Sequence, residues 1–151
     1  MSLRFHYSRR WRQSPIISLG GRLDRPWLAV PVTIVGPGSS WLVDGLLDSG
    51  SEDTVFPEWM ANHIGIDLTR APTGTAAGVG GGGGLLRYAE VTLRVADNQE
   101  RREWQAWVGF TSTKLRHPLL RFAGFLQYFT ATLYGDREEL ELTVNSLYAG
   151  T

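Results

Sequence analysis

The chain has 151 residues, 42% hydrophobic and 20% charged, which fits one soluble domain around one core. Fifteen basic and fifteen acidic residues cancel, so the positive excess that marks a nucleic-acid binder is absent. The absence of Cys excludes a disulfide framework, a thiolate metal site and a Cys nucleophile.

Residues 1–14 read as an N-terminal arm, with Arg9, Arg10 and Arg12 as a solvated basic cluster. Residues 1–13 lack the apolar stretch of a secretory signal, and no apolar run nears the roughly 18 residues that span a bilayer. With no Cys, this leads to an expectation of a cytoplasmic protein without a membrane partner. Residues 15–151 read as a single domain, with no repeat array and no linker. Within it, Pro15 to Leu19 is predicted as a short strand ending at Gly20-Gly21. Residues 28–35 alternate and are rich in β-branched side chains, so a strand is predicted there. Pro31 places its ladder at an edge or interrupts it. Gly36 to Ser40 is a turn, and Trp41 to Leu47 returns as the second strand of a hairpin that delivers Asp48 to its end.

Thr54-Val55-Phe56 precedes Pro57 and a short helix closing at Gly65, since Pro at the start and Gly past the end bracket helices. Seven of the eleven residues 74–84 are glycine, too flexible a composition for core. Leu85 to Val95 resumes a strand with Val91, Leu93 and Val95 on one face. Glu103 to Phe110 is its partner, with Trp104, Ala106 and Val108 on one side and Asp97-Asn98 at the turn. Residues 119–129 show helical apolar spacing in Phe122, Phe125, Leu126 and Phe129. Residues 131–134 and 140–144 form a closing hairpin around Gly135-Asp136-Arg137.

Gly78-Val79-Gly80-Gly81-Gly82-Gly83 matches G-x-G-x-x-G in form only. That pattern binds dinucleotides between a buried strand and a helix start, and neither flanks it here. It reads as a mobile hairpin tip, which can serve as a lid. His6, His63 and His117 are scattered and lie in no metal-binding spacing, so no metal or cofactor is expected. A serine-hydrolase elbow is absent. There remains Leu46-Leu47-Asp48-Ser49-Gly50-Ser51, an apolar strand ending in a carboxylate, a hydroxyl and a glycine. Asp-Ser-Gly alone is a common turn. After a paired Leu it implies a buried strand end, where a lone carboxylate is costly and Gly50 lets backbone N–H groups approach it.

In these residues the chain resembles the retropepsin-like aspartic peptidases, in the single-domain form that works as a homodimer. Three stretches carry the resemblance in order. Leu46 to Ser51 followed by Asp53-Thr54-Val55-Phe56-Pro57 looks like the family's active-site turn, hydrophobic-hydrophobic-Asp-Thr/Ser-Gly. The glycine tip lies where the family carries its flap. Residues 118–129 are similar to its late hydrophobic-hydrophobic-Gly segment, which leads into a helix. Arg121 stands where the family has that glycine, and must point elsewhere or make its own pair.

The resemblance implies an all-β acid-protease barrel with a flap hairpin and one or two short helices. It implies an aspartic endopeptidase acting on a peptide or protein, with Asp48 catalytic and Ser49 and Gly50 supporting it. Gly80, Gly81, Gly82, Gly83 and Gly84 would close over the substrate. One chain has one Asp-Ser-Gly. Asp44 lies four residues away on the same strand, about 13 Å off, and cannot be the second carboxylate. A second copy of Asp48 across a twofold axis supplies it. The family's terminal strands often pair across that axis, and residues 140–144 are the candidates here. Two other readings stand beside this one. One is a retropepsin-like dimerisation or peptide-binding module without activity; the other is an unrelated β-barrel binding protein in which Asp48 is only a turn residue.

Overall fold

The computed structural model describes residues 1–76 and 84–151. Among the described residues, twelve strands and one α-helix follow one another in chain order. β1 (Ser2–His6), β2 (Ser8–Trp11), β3 (Asp24–Trp27), β4 (Ala29–Val35) and β5 (Ser40–Leu47) precede β6 (Val55–Pro57) and α1 (Glu58–Ile64). β7 (Thr73–Ala76), β8 (Gly84–Ala96), β9 (Arg101–Thr111), β10 (Leu119–Leu120), β11 (Phe129–Tyr134) and β12 (Glu139–Val144) complete the fold.

The largest sheet runs β4-β5-β10-β6-β9-β8-β7, and a further β4–β8 pairing closes six of these strands into a barrel. β4 and β5 form the predicted antiparallel hairpin, from Ala29↔Leu46 to Val35↔Ser40. The pairing of β4 with β8 begins only at Val32, one residue past Pro31, which has no N–H to give a second ladder. Period-2 alternation turns Val30, Val32 and Ile34 inward to meet Val91, Leu93 and Val95 of β8 and Trp104, Ala106 and Val108 of β9. Helix α1 is bounded as its sequence indicates, by Pro57 before it and by Gly65 at φ 85° after it. Its Met60, Ala61 and Ile64 are buried.

Four expectations are corrected. Pro15 to Leu19 is not a strand; Ile17–Leu19 forms a single 3-10 turn with no buried residue, so it has no core to pair over. Residues 119–129 are not helical. They hold β10 and then a 3-10 turn, Leu126–Tyr128, separated by Gly124 at φ 90°, a left-handed conformation that a helix does not continue through. Their apolar side chains serve long-range packing instead: Phe125 and Phe129 lie 5.5 Å and 5.2 Å from the Trp104 ring, while Phe122 is exposed.

The first 14 residues do not form a free arm. β1 pairs antiparallel with β12, from Ser2↔Thr143 to His6↔Glu139, and buries Leu3. β2 pairs with β3. Arg9 bonds Asp24 and Glu138, and Arg22 joins the same two carboxylates at 2.8 Å each, tying this hairpin to the β11–β12 turn. β12 is the central strand of the sheet β1-β12-β11. Both its edges are filled within the chain, so residues 140–144 are not available to pair across a dimer axis.

Candidate active site

The Asp48 turn is positioned by a ladder of three strands. β5 runs parallel to β10, with Leu46 opposite Leu119 and Leu47 opposite Leu120. Leu119 also pairs antiparallel with Val55 of β6. Backbone bonds extend this ladder past the strand ends. The Leu46 N–H donates to Pro118 O at 2.8 Å, the Leu47 N–H to Leu28 O at 2.8 Å, and the Asp48 N–H to Leu120 O at 3.0 Å. The close approach of β5 and β10 depends on Gly45, where a Cβ would sit 2.7 Å from the Leu120 side chain.

Behind the turn, Thr54 is fully buried and links the two segments that flank it. Its hydroxyl accepts the Arg121 N–H at 3.0 Å. The Thr54 N–H donates to Ala123 O at 3.1 Å, and the Ala123 N–H donates to Glu52 O at 2.7 Å. The Gly109 N–H donates to Thr54 O at 2.9 Å, which brings β9 into the same network. The 121–128 segment is pinned in turn by Trp104, whose indole N–H donates to Gly124 O at 3.0 Å.

Asp48 itself is less buried than its sequence setting implies: its side chain is 32% exposed, and Ser49 and Gly50 are exposed beside it. The Gly50 N–H donates to Asp48 Oδ1 at 3.0 Å. The other oxygen meets Arg121. The Arg121 Nε–H donates to Asp48 Oδ2 at 3.0 Å, from a side chain that is only 5% exposed. Arg121 thus makes its own pair, and makes it with the candidate catalytic carboxylate. The pairing is incomplete, because Nη1 of Arg121 is buried with no hydrogen-bond partner among the described residues. A buried donor left in that state costs about 1–3 kcal/mol, and more when it is charged. Arg121 keeps negative φ, since Glu138 alone among the described non-glycine residues has φ above zero. Arg121 therefore sits in this turn without backbone strain.

The strand positions of the β7–β8 hairpin are described from Thr73↔Arg87 to Ala76↔Gly84. Gly84 is the first residue of β8; Gly80, Gly81, Gly82 and Gly83 lie outside the described residues. One contact that sequence reasoning missed joins this hairpin to the Asp48 turn. The Tyr88 hydroxyl on β8 donates to Asp53 Oδ2 at 2.7 Å. Burial, that hydrogen bond and the Asp53 and Glu52 charges push the Tyr88 phenol up to about 12. Asp44 is exposed on β5, opposite Pro31 and away from the turn. Among the described residues no group of three or more His, Asp or Glu side chains is arranged to hold a metal ion. No helix among them is long and apolar enough to cross a membrane.

Neither a family model nor a curated protein matches the chain. Its architecture does match a solved one, a retropepsin-like aspartic protease from Rickettsia conorii. The TM-score is 0.52 over 94% of this chain and 91% of that one, at 15% sequence identity. The fold is retropepsin-like. At that identity the likeness concerns the fold alone, and within the retropepsin-like barrel the Asp48 turn is the element whose chemistry stands out. It combines a carboxylate with an open face, an N–H from its own glycine, and a cation from the segment just past β10.

Proposed function

We propose that the protein is an aspartic endopeptidase in which two copies of the chain form one site, each giving Asp48. The observation that carries this reading is the Asp48 turn itself: an Asp-Ser-Gly held from behind by β10 and Thr54, with its carboxylate open to solvent in front. In the reaction one Asp48 is ionised and the other protonated, because two carboxylates about 3 Å apart share a proton, as the general case of aspartic proteases illustrates. The ionised carboxylate takes a proton from a water whose oxygen bonds to the peptide carbonyl carbon. The protonated one gives its proton to the carbonyl oxygen. Collapse of the resulting diol breaks the C–N bond; the amine leaves with the proton taken from water, and a diol hydroxyl returns its proton to the second carboxylate. One water is consumed and the pair is restored.

In this reading Ser49 bridges the two turns, Gly50 orients each carboxylate, and the β7–β8 hairpin with Gly80 to Gly84 covers an extended peptide that pairs with strand edges. Sedimentation equilibrium at micromolar concentration is expected to give a dimer. Asp48→Asn is expected to abolish cleavage of a mixed peptide library. A monomer, or cleavage unchanged by Asp48→Asn, would sink the proposal.

A second reading is favoured by one observation, the Arg121–Asp48 ion pair. If that pair is permanent, the protein is a dimerising or peptide-binding module on the same fold. Binding of extended peptides with no cleavage at any pH from about 4 to 7, where such carboxylate pairs work, would favour it.

A further inference from the structure

We propose that Arg121 is an autoinhibitory counter-ion: while its guanidinium holds Asp48, the two-copy site has no acid to offer, and cleavage is confined to dimers in which it has withdrawn. This rests on the reading of Asp48 as half of a shared peptidase site.

The charge balance carries the inference. Two carboxylates brought together alone bear two negative charges, and sharing one proton is what lets them stay close. That shared proton is also the one the reaction gives to the carbonyl oxygen. With an Arg121 on each Asp48, two positive charges already balance the two negative ones. The proton is then not needed for assembly, and the site loses its general acid. The geometry agrees. Asp48 Oδ1 takes the Gly50 N–H that orients the carboxylate, and Oδ2, the oxygen left for a shared proton, already holds the Arg121 Nε–H when a second copy arrives. Within one copy, Arg121 is the cation that pairs with Asp48, and the Glu52 and Asp53 carboxylates follow in the same segment.

A second feature separates a releasable latch from a fixed structural pair. Arg121 is anchored through its backbone, whose N–H donates to the Thr54 hydroxyl and whose carbonyl accepts the Leu126 N–H at 2.9 Å. Among the described residues Nη1 of its side chain is buried without a hydrogen-bond partner. Moving the guanidinium to solvent or to an incoming acceptor would satisfy that donor, and the backbone that carries it need not move.

The test compares wild type with Arg121→Gly and Arg121→Met, two variants so that a folding defect in one leaves the other readable by thermal melting. Cleavage of a mixed peptide library per dimer is expected to rise by about 10²-fold or more in the variants, the scale of a general-acid contribution, and to vanish again when Asp48→Asn is added. Calorimetry of dimer formation near pH 6, in buffers of different ionisation enthalpy, is expected to show no proton uptake for wild type and about one proton per dimer for the variants. Wild type that cleaves as fast as the variants overturns the latch and leaves the peptidase standing. Folded variants that do not cleave overturn both.

Discussion

Two polar side chains lie buried within a few ångströms of one another behind the Asp48 turn, and they are treated differently by the fold. Thr54 accepts the Arg121 N–H, while its own N–H and carbonyl reach Ala123 and Gly109; it is fully satisfied. Arg121 is satisfied along its backbone but not in its side chain, where one guanidinium nitrogen has no partner among the described residues and another holds a one-third-exposed carboxylate. Protein interiors rarely leave buried donors unpaired, and the exceptions need a reason. The contrast separates the scaffold, which has one arrangement, from the site, which has an alternative within reach.

The largest stability effect is expected on the satisfied side. Thr54→Val keeps the shape but strands the buried Arg121 N–H, and should destabilise the protein by about 1–3 kcal/mol in urea unfolding. A loss below about 0.5 kcal/mol would mean that Thr54 is not the scaffold described. Next comes Tyr88→Phe, which removes the bond to Asp53 and should cost about 0.5–1.5 kcal/mol near neutral pH. The sign with pH follows from the raised phenol. Folding favours the neutral form, so this stabilisation is complete below the ordinary tyrosine value near 10 and fades as pH rises through about 12. Wild type should lose more stability than Tyr88→Phe across that window. Parallel stability curves would show that the bond contributes nothing.

Smaller still is the effect expected on the unsatisfied side. Arg121→Met removes a buried, half-paired cation and leaves Asp48 with solvent and the Gly50 N–H. Removing one partner of an ion pair is costly when the other charge is left buried, but Asp48 is one-third exposed and keeps solvent and the Gly50 N–H, so a change within about 1 kcal/mol is expected. A loss of 3 kcal/mol or more would make Arg121 part of the scaffold and end the contrast with Thr54. Least affected should be Asp24→Asn, in the exposed network that ties β2–β3 to Glu138. Arg22 and Arg9 hold the Asp24 carboxyl well below its usual range, but an exposed network contributes little. Only a small fall in melting temperature is expected, and only at low salt.

Which parts were legible in the sequence follows from where their signals lie. The β4–β5 hairpin and α1 are written locally, in alternation from 28 to 47 and in Pro57 and Gly65, and both are present as expected. Residues 119–129 carry a local signal that tertiary packing overrules, since Trp104 draws in Phe125 and Phe129 and Gly124 breaks the run. β1 has no local signal for its place, because its partner β12 lies more than 130 residues away. The position of Asp48 was readable from Leu46 to Gly50, and Arg121 from its departure from the family pattern. That the two touch was not readable, because 73 residues separate them and the strand pairing of β5 with β10 brings them together. Tyr88 with Asp53 was missed for the same reason.

In the proposed reading Asp48 is half of a site completed by a second copy. The decisive measurement mixes intact chains with Asp48→Asn chains in varied ratio, in whichever of the wild-type and Arg121→Gly backgrounds cleaves faster. If the site is shared, mixed dimers are inactive and total cleavage falls with the square of the fraction of intact chains. A fall in simple proportion to that fraction would mean that each chain carries its own site, and would contradict the claim.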